Sequence, residues 1–476
     1  MRTLPFLFSI AAAAVLSACA SMGPATERAK PVDAATLQVG DAFKGSDAQW
    51  PQAQWWTSLG DNQLNDLIAD ALRDSPTLAV ARARIDKAAA IAGVVHADAG
   101  PQIGLDAEVD SQHFQRNSVY PPPLAGTTNG VGLIQLQGSW DLDFFGKHQA
   151  EFDAALSQTR AAEFQRQAVA LALASDISRT YVQLALQYDL LDVLDATEQQ
   201  RENVLEVNRT RVAAGLDPAG ERNVANASLA SVRQERAAIE GRISVLQDRL
   251  ASLAGVGPAR GRQLHRPQLA IGAVDGIPDM LPAELVARRP DIAAQRARLN
   301  ASLREVDLAK SQFYPDINLA GFIGVQSIGL GNLLKWDSHM TGVGPALHLP
   351  VFDGGALRSN LRVTQAEFDG AVADYNALVI QAMQQTADAV ANERAVATQL
   401  DEQNKAEDEV KEAYRLAQLR YEHGLSSRLL ALNAEDRVLG ETRQRAELAA
   451  QARLAWVDLN HALGGGFHTA TAQAAR

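Results

Sequence analysis

Residues 134–144 read IQLQGSWDLDF, a stretch in which apolar or small residues alternate with amide, hydroxyl or acidic ones. Alternation with a period of two places each set of side chains on its own face of a β-strand. Over about 10 residues, an apolar face opposite a polar face is typical of a transmembrane β-strand. A half-exposed strand of a soluble sheet gives the same alternation, so this stretch alone leaves both interpretations open.

The same alternation recurs elsewhere, and it predicts four strands per chain, at about residues 101–115, 130–145, 315–328 and 339–352. Four strands cannot close a barrel, and open sheet edges are not tolerated in lipid. The smallest bacterial barrels have about eight strands, so the chain must pool its strands with copies of itself. Two copies supply about eight strands and three supply about twelve, and both are compatible with closure.

Two very long helices are predicted from the distribution of proline. No Pro lies between Pro123 and Pro218, and none follows Pro350. Pro-free stretches rich in Ala, Leu, Gln, Glu and Arg favour helix. A helix over residues 146–214 has 69 residues and is about 100 Å long at 1.5 Å per residue. Steps of four and three along this segment indicate a heptad seam for packing against similar helices, at Ala170, Ala174, Ile177, Tyr181, Leu184, Tyr188 and Leu191.

The chain is an internal duplication. The segment Arg82-Ala83-Arg84-Ile85 matches Arg296-Ala297-Arg298-Leu299, 214 residues later, and Gly215-Leu216 matches Gly424-Leu425, 209 residues later. Such self-similarity marks repeated structural units. Each half is therefore predicted to contain a helix, two strands, a long helix, a glycine turn and a return helix.

The N-terminus has the features of a lipoprotein signal peptide. Arg2 precedes an apolar stretch over residues 4–16, and Leu-Ser-Ala-Cys follows, ending at Cys19. This arrangement is typical of a secretory signal peptide and is similar to the lipobox of bacterial lipoproteins, in which the cysteine is lipidated. Cys19 is the only cysteine of the sequence, so a disulfide or a zinc site does not explain it. An ordinary signal peptide with a nearby cysteine is the alternative.

Composition and motifs argue against several functions. The formal net charge of −12 disfavours nucleic-acid binding. The nine His are scattered without metal-ligand spacing, and no G-x-S-x-G or Walker A motif occurs. We therefore expect no catalysis, cofactor or metal. Two alternatives stay open, namely a lipid-anchored periplasmic coiled-coil structural protein without membrane strands and a lipid-anchored enzyme.

The sequence resembles the outer-membrane factor family, the TolC-like and OprM-like exit ducts, and in particular its NodT-type lipoprotein branch. The resemblance covers nearly all of the mature chain and rests on an ordered, duplicated set of motifs. These are residues 56–61 (WTSLGD), 143–147 (DFFGK), 288–292 (RRPDI), 313–315 (FYP), 349–355 (LPVFDGG), Arg420-Tyr421 with Gly424, and 462–467 (ALGGGF).

The resemblance implies an α+β membrane protein that is a homotrimer, with a 12-stranded β-barrel, a periplasmic α-barrel of long antiparallel helices and a mixed equatorial belt. It also implies a passive efflux duct for drugs or other toxic compounds, anchored in outer-membrane lipid. The expected partners are a periplasmic membrane-fusion adaptor and an inner-membrane transporter of the resistance-nodulation-division type. The proline-rich loop at residues 120–123 weakly favours an aromatic-acid or major-facilitator exporter instead, and a type I export system is a further alternative.

On this resemblance the chain divides into six parts: a signal peptide (1–18), a lipidated N-terminal segment with equatorial contacts (19–60), a first repeat (61–255), an equatorial join (256–277), a second repeat (278–466) and a C-terminal tail (467–476). The resemblance implies that the turns between the long and return helices form the closed tip and contact the adaptor, through Gly215, Leu216, Gly424, Leu425 and Ser426.

The resemblance also places a pore constriction, or gate, at the start of each return helix. The gate candidates are Glu221, Leu429, Asn433 and Asp436. The family sequence Leu-Asp-Ala-Gln is here Leu432-Asn433-Ala434-Glu435, so the acidic residue has moved and the charge of the gate is open. For Asp436 and Glu435, a solvated helix face is an equally good interpretation.

Overall fold

The computed structural model describes residues 28–37, 50–117, 119–270 and 282–468. The first repeat contains α1 (Asn62–Asp74), α2 (Pro76–Asp98), β1 (Gln102–His113), β2 (Thr128–Asp141), α3 (Lys147–Ala213) and α4 (Ala219–Leu253). The short helices α5 (Pro258–Gly261) and α6 (Pro282–Ala287) follow. The second repeat contains α7 (Pro290–Ser311), β3 (Asp316–Ile328), β4 (His339–His348), α8 (Ala356–Glu422) and α9 (Arg428–Ala462). Short 3-10 helices occupy Ala34–Thr36, Trp55–Leu59, Leu330–Asn332 and Trp336–Ser338.

The long helices confirm the prediction from proline spacing and repeat each other in length. Helices α3 and α8 have 67 residues each, and the return helices α4 and α9 have 35 each. Gly146 and Gly215, with φ of 74° and 70°, lie just outside the two ends of α3, where an L-residue would be strained. In the described parts of the chain, no helix is both long enough and apolar enough to cross a bilayer. The equal lengths show that the duplication is structural.

The four strands form one antiparallel sheet in the order β1-β2-β3-β4. The register aligns Leu105 with Leu136, and Leu136 with Ile323, so that apolar residues of different strands share one face. These three side chains are 68%, 45% and 58% exposed. In the described residues, the outer edges of β1 and β4 have no strand partner. A single chain therefore leaves an apolar sheet face and two hydrogen-bonding edges uncovered.

Two strands end earlier than the alternation predicted. β2 ends at Asp141 rather than near residue 145, and β4 ends at His348 rather than near residue 352. In both repeats an aspartate near the predicted strand end caps the following helix. Asp143 falls within the alternation that predicted β2, whereas Asp353 lies one residue beyond the stretch predicted for β4. Asp143 accepts hydrogen bonds from the amides of Lys147 and Gln149 at 2.6 Å and 3.0 Å, and Asp353 accepts bonds from the amides of residues 355 and 357 at 2.9 Å and 2.5 Å. Helix capping thus overrides strand extension at the end of β2.

The chain forms two compact units, each containing segments of both repeats. The unit made of residues 1–31, 84–162 and 295–375 contains the sheet. The unit made of residues 32–83, 163–294 and 376–476 contains the turns at Gly215 and Gly424 and a large hydrophobic core. In that core, the predicted heptad seam of α3 is buried at Ala174, Ile177, Tyr181 and Leu184, and the other three positions pack against its margin. The seam packs on Trp55–Leu59 and α1 as well as on other long helices.

Candidate functional site

The two turns that join the long helices to the return helices have the same backbone conformation. Gly215 and Gly424 take φ of 70° and 67°. In each turn the amide of the following leucine donates to the carbonyl oxygen of the arginine five residues earlier, at 2.9 Å and 2.8 Å. The side chains of Leu216 and Leu425 are 67% and 70% exposed. Each turn therefore presents an apolar side chain on a backbone fixed by a left-handed glycine.

The side chains around these turns differ between the repeats. In the first turn Arg211 donates from Nε and Nη2 to the two carboxylate oxygens of Asp217, at 2.6 Å and 2.9 Å. This bidentate bond holds the pKa of Asp217 below its ordinary value. In the second turn, Arg420 and Ser426 take the corresponding places. The oxygen Oγ of Ser426 is buried without a hydrogen-bond partner, and Arg420 is exposed.

The gate candidate Asp436 is bound to a neighbouring helix. Its Oδ1 accepts a hydrogen bond from Nη2 of Arg201 on α3 at 2.5 Å, and the two side chains are 42% and 26% exposed respectively. One residue earlier on α3, the buried Gln200 donates to the carbonyl oxygen of Leu432 at 2.9 Å. These bonds tie the first turns of α9 to α3, and neither sequence interpretation of Asp436 included its partner.

The remaining gate candidates lie on the same two return helices. Leu429 is half-buried and Asn433 is exposed on α9, and Glu221 is exposed in the first turn of α4. Glu435 is half-buried, and burial raises the pKa of its carboxyl while the nearby Arg428 opposes that shift. The carboxylate of Asp436 is therefore ion-paired, and the side chain of Glu435 is partly shielded from solvent.

Two equivalent ion pairs, here called clamps, join neighbouring helices and were not predicted from the sequence. Glu198 on α3 binds Arg236 on α4 at 3.2 Å, and Glu407 on α8 binds Arg445 on α9 at 3.0 Å. Both residues of the second clamp lie 209 residues after those of the first, the same offset as the glycine turns. A search for charged residues that repeat at this offset would have identified both ion pairs. Each clamp fixes a long helix to its own return helix.

Two further expectations from the sequence concern lipidation and metal binding. Cys19 lies outside the described residues. Within the described segments, no group of three or more His, Cys, Asp or Glu residues is arranged to hold a metal ion. The candidate site is therefore a structural and electrostatic one, made of two turns, their flanking charges and the links between α3 and α9.

The duplicated fold, its four-stranded sheet and its two long helices with return helices are those of a class of proteins, the subunits of outer-membrane channels with long helical extensions. The chain belongs to the Outer membrane efflux protein family, whose model matches residues 67–256 and 281–465. This membership confirms the predicted resemblance, the α+β channel fold and the location in the outer membrane.

Relatives and solved structures agree with this membership. The chain is 32% identical over 445 residues to the multidrug resistance outer membrane protein MdtP of Escherichia coli K12, covering 90% of each chain. It is 33% identical over 368 residues to the fusaric acid resistance protein FusA of Burkholderia cepacia, covering 75% of this chain and 68% of that protein. The crystal structure of the outer membrane protein VceC from Vibrio cholerae is 34% identical, with a TM-score of 0.80, covering 88% of this chain and 100% of VceC.

Proposed function

We propose that three copies of this chain form the outer-membrane exit duct of a tripartite efflux pump, and that drugs or other small toxic compounds leave through it passively. The observation that carries the proposal is the four-stranded sheet, whose apolar face and two outer edges are not covered by any described residue of the same chain. Open edges are not tolerated in lipid, so strands of several copies must pair. Three copies supply about twelve strands, within the size range of bacterial barrels. The duct performs no bond chemistry.

The mass of the detergent-extracted particle tests this assembly. One chain has a mass of 51.0 kDa, so three unprocessed chains have a combined mass of roughly 150 kDa. We expect that mass from purified outer membranes, with circular dichroism of mixed helix and strand. A monomer that mild salt releases from the membrane would contradict the proposal and favour a lipid-anchored periplasmic protein.

The lipid anchor at Cys19 is supported by the position of the first described residues. The amide of Ala29 donates to Oδ1 of Asp369 on α8 at 3.0 Å. Asp369 lies 13 residues after Ala356, the first residue of α8, which corresponds to about 20 Å of helix. The ten residue-to-residue steps from Cys19 to Ala29 span at most about 33–36 Å when extended. A lipid on Cys19 is therefore within reach of the end of α8 that lies next to the sheet.

The gate of the duct is proposed to lie at the start of the return helices. Glu221, Leu429, Asn433 and Asp436 are its candidate residues, and the bond between Arg201 and Asp436 holds the first turns of α9 in the described conformation. The adaptor is proposed to contact the two turns through Gly215, Leu216, Gly424, Leu425 and Ser426. Opening then requires α9 to part from α3, which breaks the Arg201–Asp436 bond.

The transporter partner is proposed to be of the resistance-nodulation-division type, linked to the duct by a membrane-fusion adaptor. The similarity to MdtP, a multidrug resistance protein, supports several drugs as cargo. The similarity to FusA, a fusaric acid resistance protein, supports a second candidate, an exporter of aromatic acids. Deleting the gene and measuring accumulation of cationic dyes and of aromatic acids distinguishes them, since each candidate predicts increased accumulation of one class. Unchanged accumulation of both classes would contradict both.

A further inference from the structure

The two turns provide an internal comparison, because the duplication gives them one backbone and different side chains. Positions 211 and 420 are both Arg, and each lies two residues before the end of its long helix and four residues before the glycine. At the position two residues after the glycine, the first turn has Asp217 and the second has Ser426. The equivalent φ angles and backbone hydrogen bonds show that the change does not alter the backbone.

The first turn completes its own arginine site. Both carboxylate oxygens of Asp217 accept hydrogen bonds from Arg211, in the fork geometry that matches a guanidinium to a carboxylate. Asp217 therefore marks the place where a carboxylate belongs in a turn of this shape. No second chain is needed to supply one.

The second turn lacks that carboxylate but keeps the arginine that would bind it. Among the residues that the structure describes, Arg420 has neither a hydrogen-bond nor an ion-pair partner. The buried Oγ of Ser426 is also without one, and a buried hydroxyl without a partner is unfavourable. Leu425 next to it is 70% exposed, so the turn is accessible to another molecule.

We infer that the second turn, and not the first, binds an acidic side chain of the adaptor, with Arg420 forming the bidentate bond that Arg211 forms with Asp217. This inference rests on the proposed function, because it takes the adaptor as the partner of the tips. It deepens that function by assigning unequal roles to the two turns. The first turn is complete and offers only its exposed leucine, whereas the second adds a charged bond from Arg420 to its own exposed leucine.

A photo-crosslinking experiment on the intact channel in cells tests this assignment. The probe is p-benzoylphenylalanine at position 425, with a matched probe at position 216, and the adduct is identified by mass spectrometry. We expect adaptor adducts at both positions. Arg420→Gln should lower the yield at position 425 by about tenfold or more, the usual effect of losing a charged hydrogen bond. Arg420→Lys should retain part of the yield, and Arg211→Gln should not lower the yield at position 425.

Ser426→Asp is the second test, and it does not depend on removing a charge. The new carboxylate should bind Arg420 within the chain, as Asp217 binds Arg211, and thereby exclude the acidic group of the adaptor. We expect a trimer of normal abundance with an adduct yield reduced by about tenfold. If Arg420→Gln reduces the amount of trimer in the outer membrane, this variant decides the question.

A charge exchange identifies the partner residue. Arg420→Glu should abolish the adduct, and replacing the Asp or Glu of the crosslinked adaptor segment by Lys should restore it. Unchanged adduct yields in Arg420→Gln or in Ser426→Asp would overturn the inference while leaving the duct function intact. Absence of adaptor adducts at both turns, together with unchanged dye accumulation after gene deletion, would contradict the proposed function itself.

Discussion

Breaking the bond between Arg201 and Asp436 should favour the open state of the channel. Asp436→Asn keeps the size of the side chain and removes its charge. The two side chains are 26% and 42% exposed, so solvent and salt screen the pair. Exposed pairs contribute about 0.2–1 kcal/mol, and the short contact places this one near about 1 kcal/mol. If the bond exists only in the closed state, its loss favours opening about fivefold for each of the three copies, since 1.4 kcal/mol is about tenfold.

Single-channel current in planar bilayers measures this ratio as an open probability. The effect of Asp436→Asn should shrink between 0.1 M and 1 M salt, because the Debye length falls from about 10 Å to about 3 Å. Asp458→Asn is the matched control, since Asp458 on α9 binds Arg179 on α3 at 2.6 Å. This second pair links the same two helices 22 residues farther from the turns, about 33 Å along the helix. We expect the control to leave the open probability unchanged.

The double variant Arg201→Gln with Asp436→Asn completes the test. If the two residues act through their mutual bond, the double variant should resemble each single variant rather than show the sum of both effects. Additive effects, an open probability that Asp436→Asn does not change, or an equal effect of Asp458→Asn would each refute the reasoning.

Three further predictions concern the turns and the anchor. Gly424→Ala should destabilise the trimer by about 1–2 kcal/mol per copy, because an L-residue is strained at φ of 67°. The control Gly440→Ala, within α9, should stabilise it by up to about 1 kcal/mol. Thermal unfolding compares the two variants, and equal effects would contradict the strain at Gly424. The pKa of Asp217 is lowered in the folded state, so its stabilisation is present above its ordinary pKa and is lost as pH falls through the lowered value. Hydrogen exchange at residues 214–217 should therefore accelerate in acid relative to residues 423–426, and Asp217→Asn should remove that difference. Cys19→Ser should abolish incorporation of labelled palmitate, and labelling of that variant would show that Cys19 is not the lipidated residue.

Local patterns in the sequence were sufficient to predict the long helices and the four strands. The absence of proline predicted the long helices, and period-two alternation predicted the strands, because both features act on the backbone directly. Alternation overran the ends of both β2 and β4. At β2 the reason is that Asp143, which fits the alternation, caps α3. An aspartate after an alternating apolar residue has the same sequence pattern in either role, so this boundary depends on which amides lie within its reach.

The contacts of the candidate site were predictable only where they stay within one turn or repeat. The bond between Arg211 and Asp217 joins residues six apart and follows once the turn is known. The bond between Arg201 and Asp436 joins different repeats, and no local sequence pattern predicts that α3 and α9 are neighbours. A charged residue on a long helix has many possible faces, and only the packing of the helices selects one.

The uncovered edges of the sheet also have a genetic consequence. A closed ring of three copies uses both edges of every copy, so one chain with a damaged edge prevents closure of any ring that includes it. In a cell that makes normal and damaged chains in equal amounts, random mixing leaves only about one eighth of the rings free of damaged chains, by the statistics of symmetric assembly. An edge defect in one gene copy is therefore expected to act dominantly, whereas a null allele merely halves the supply.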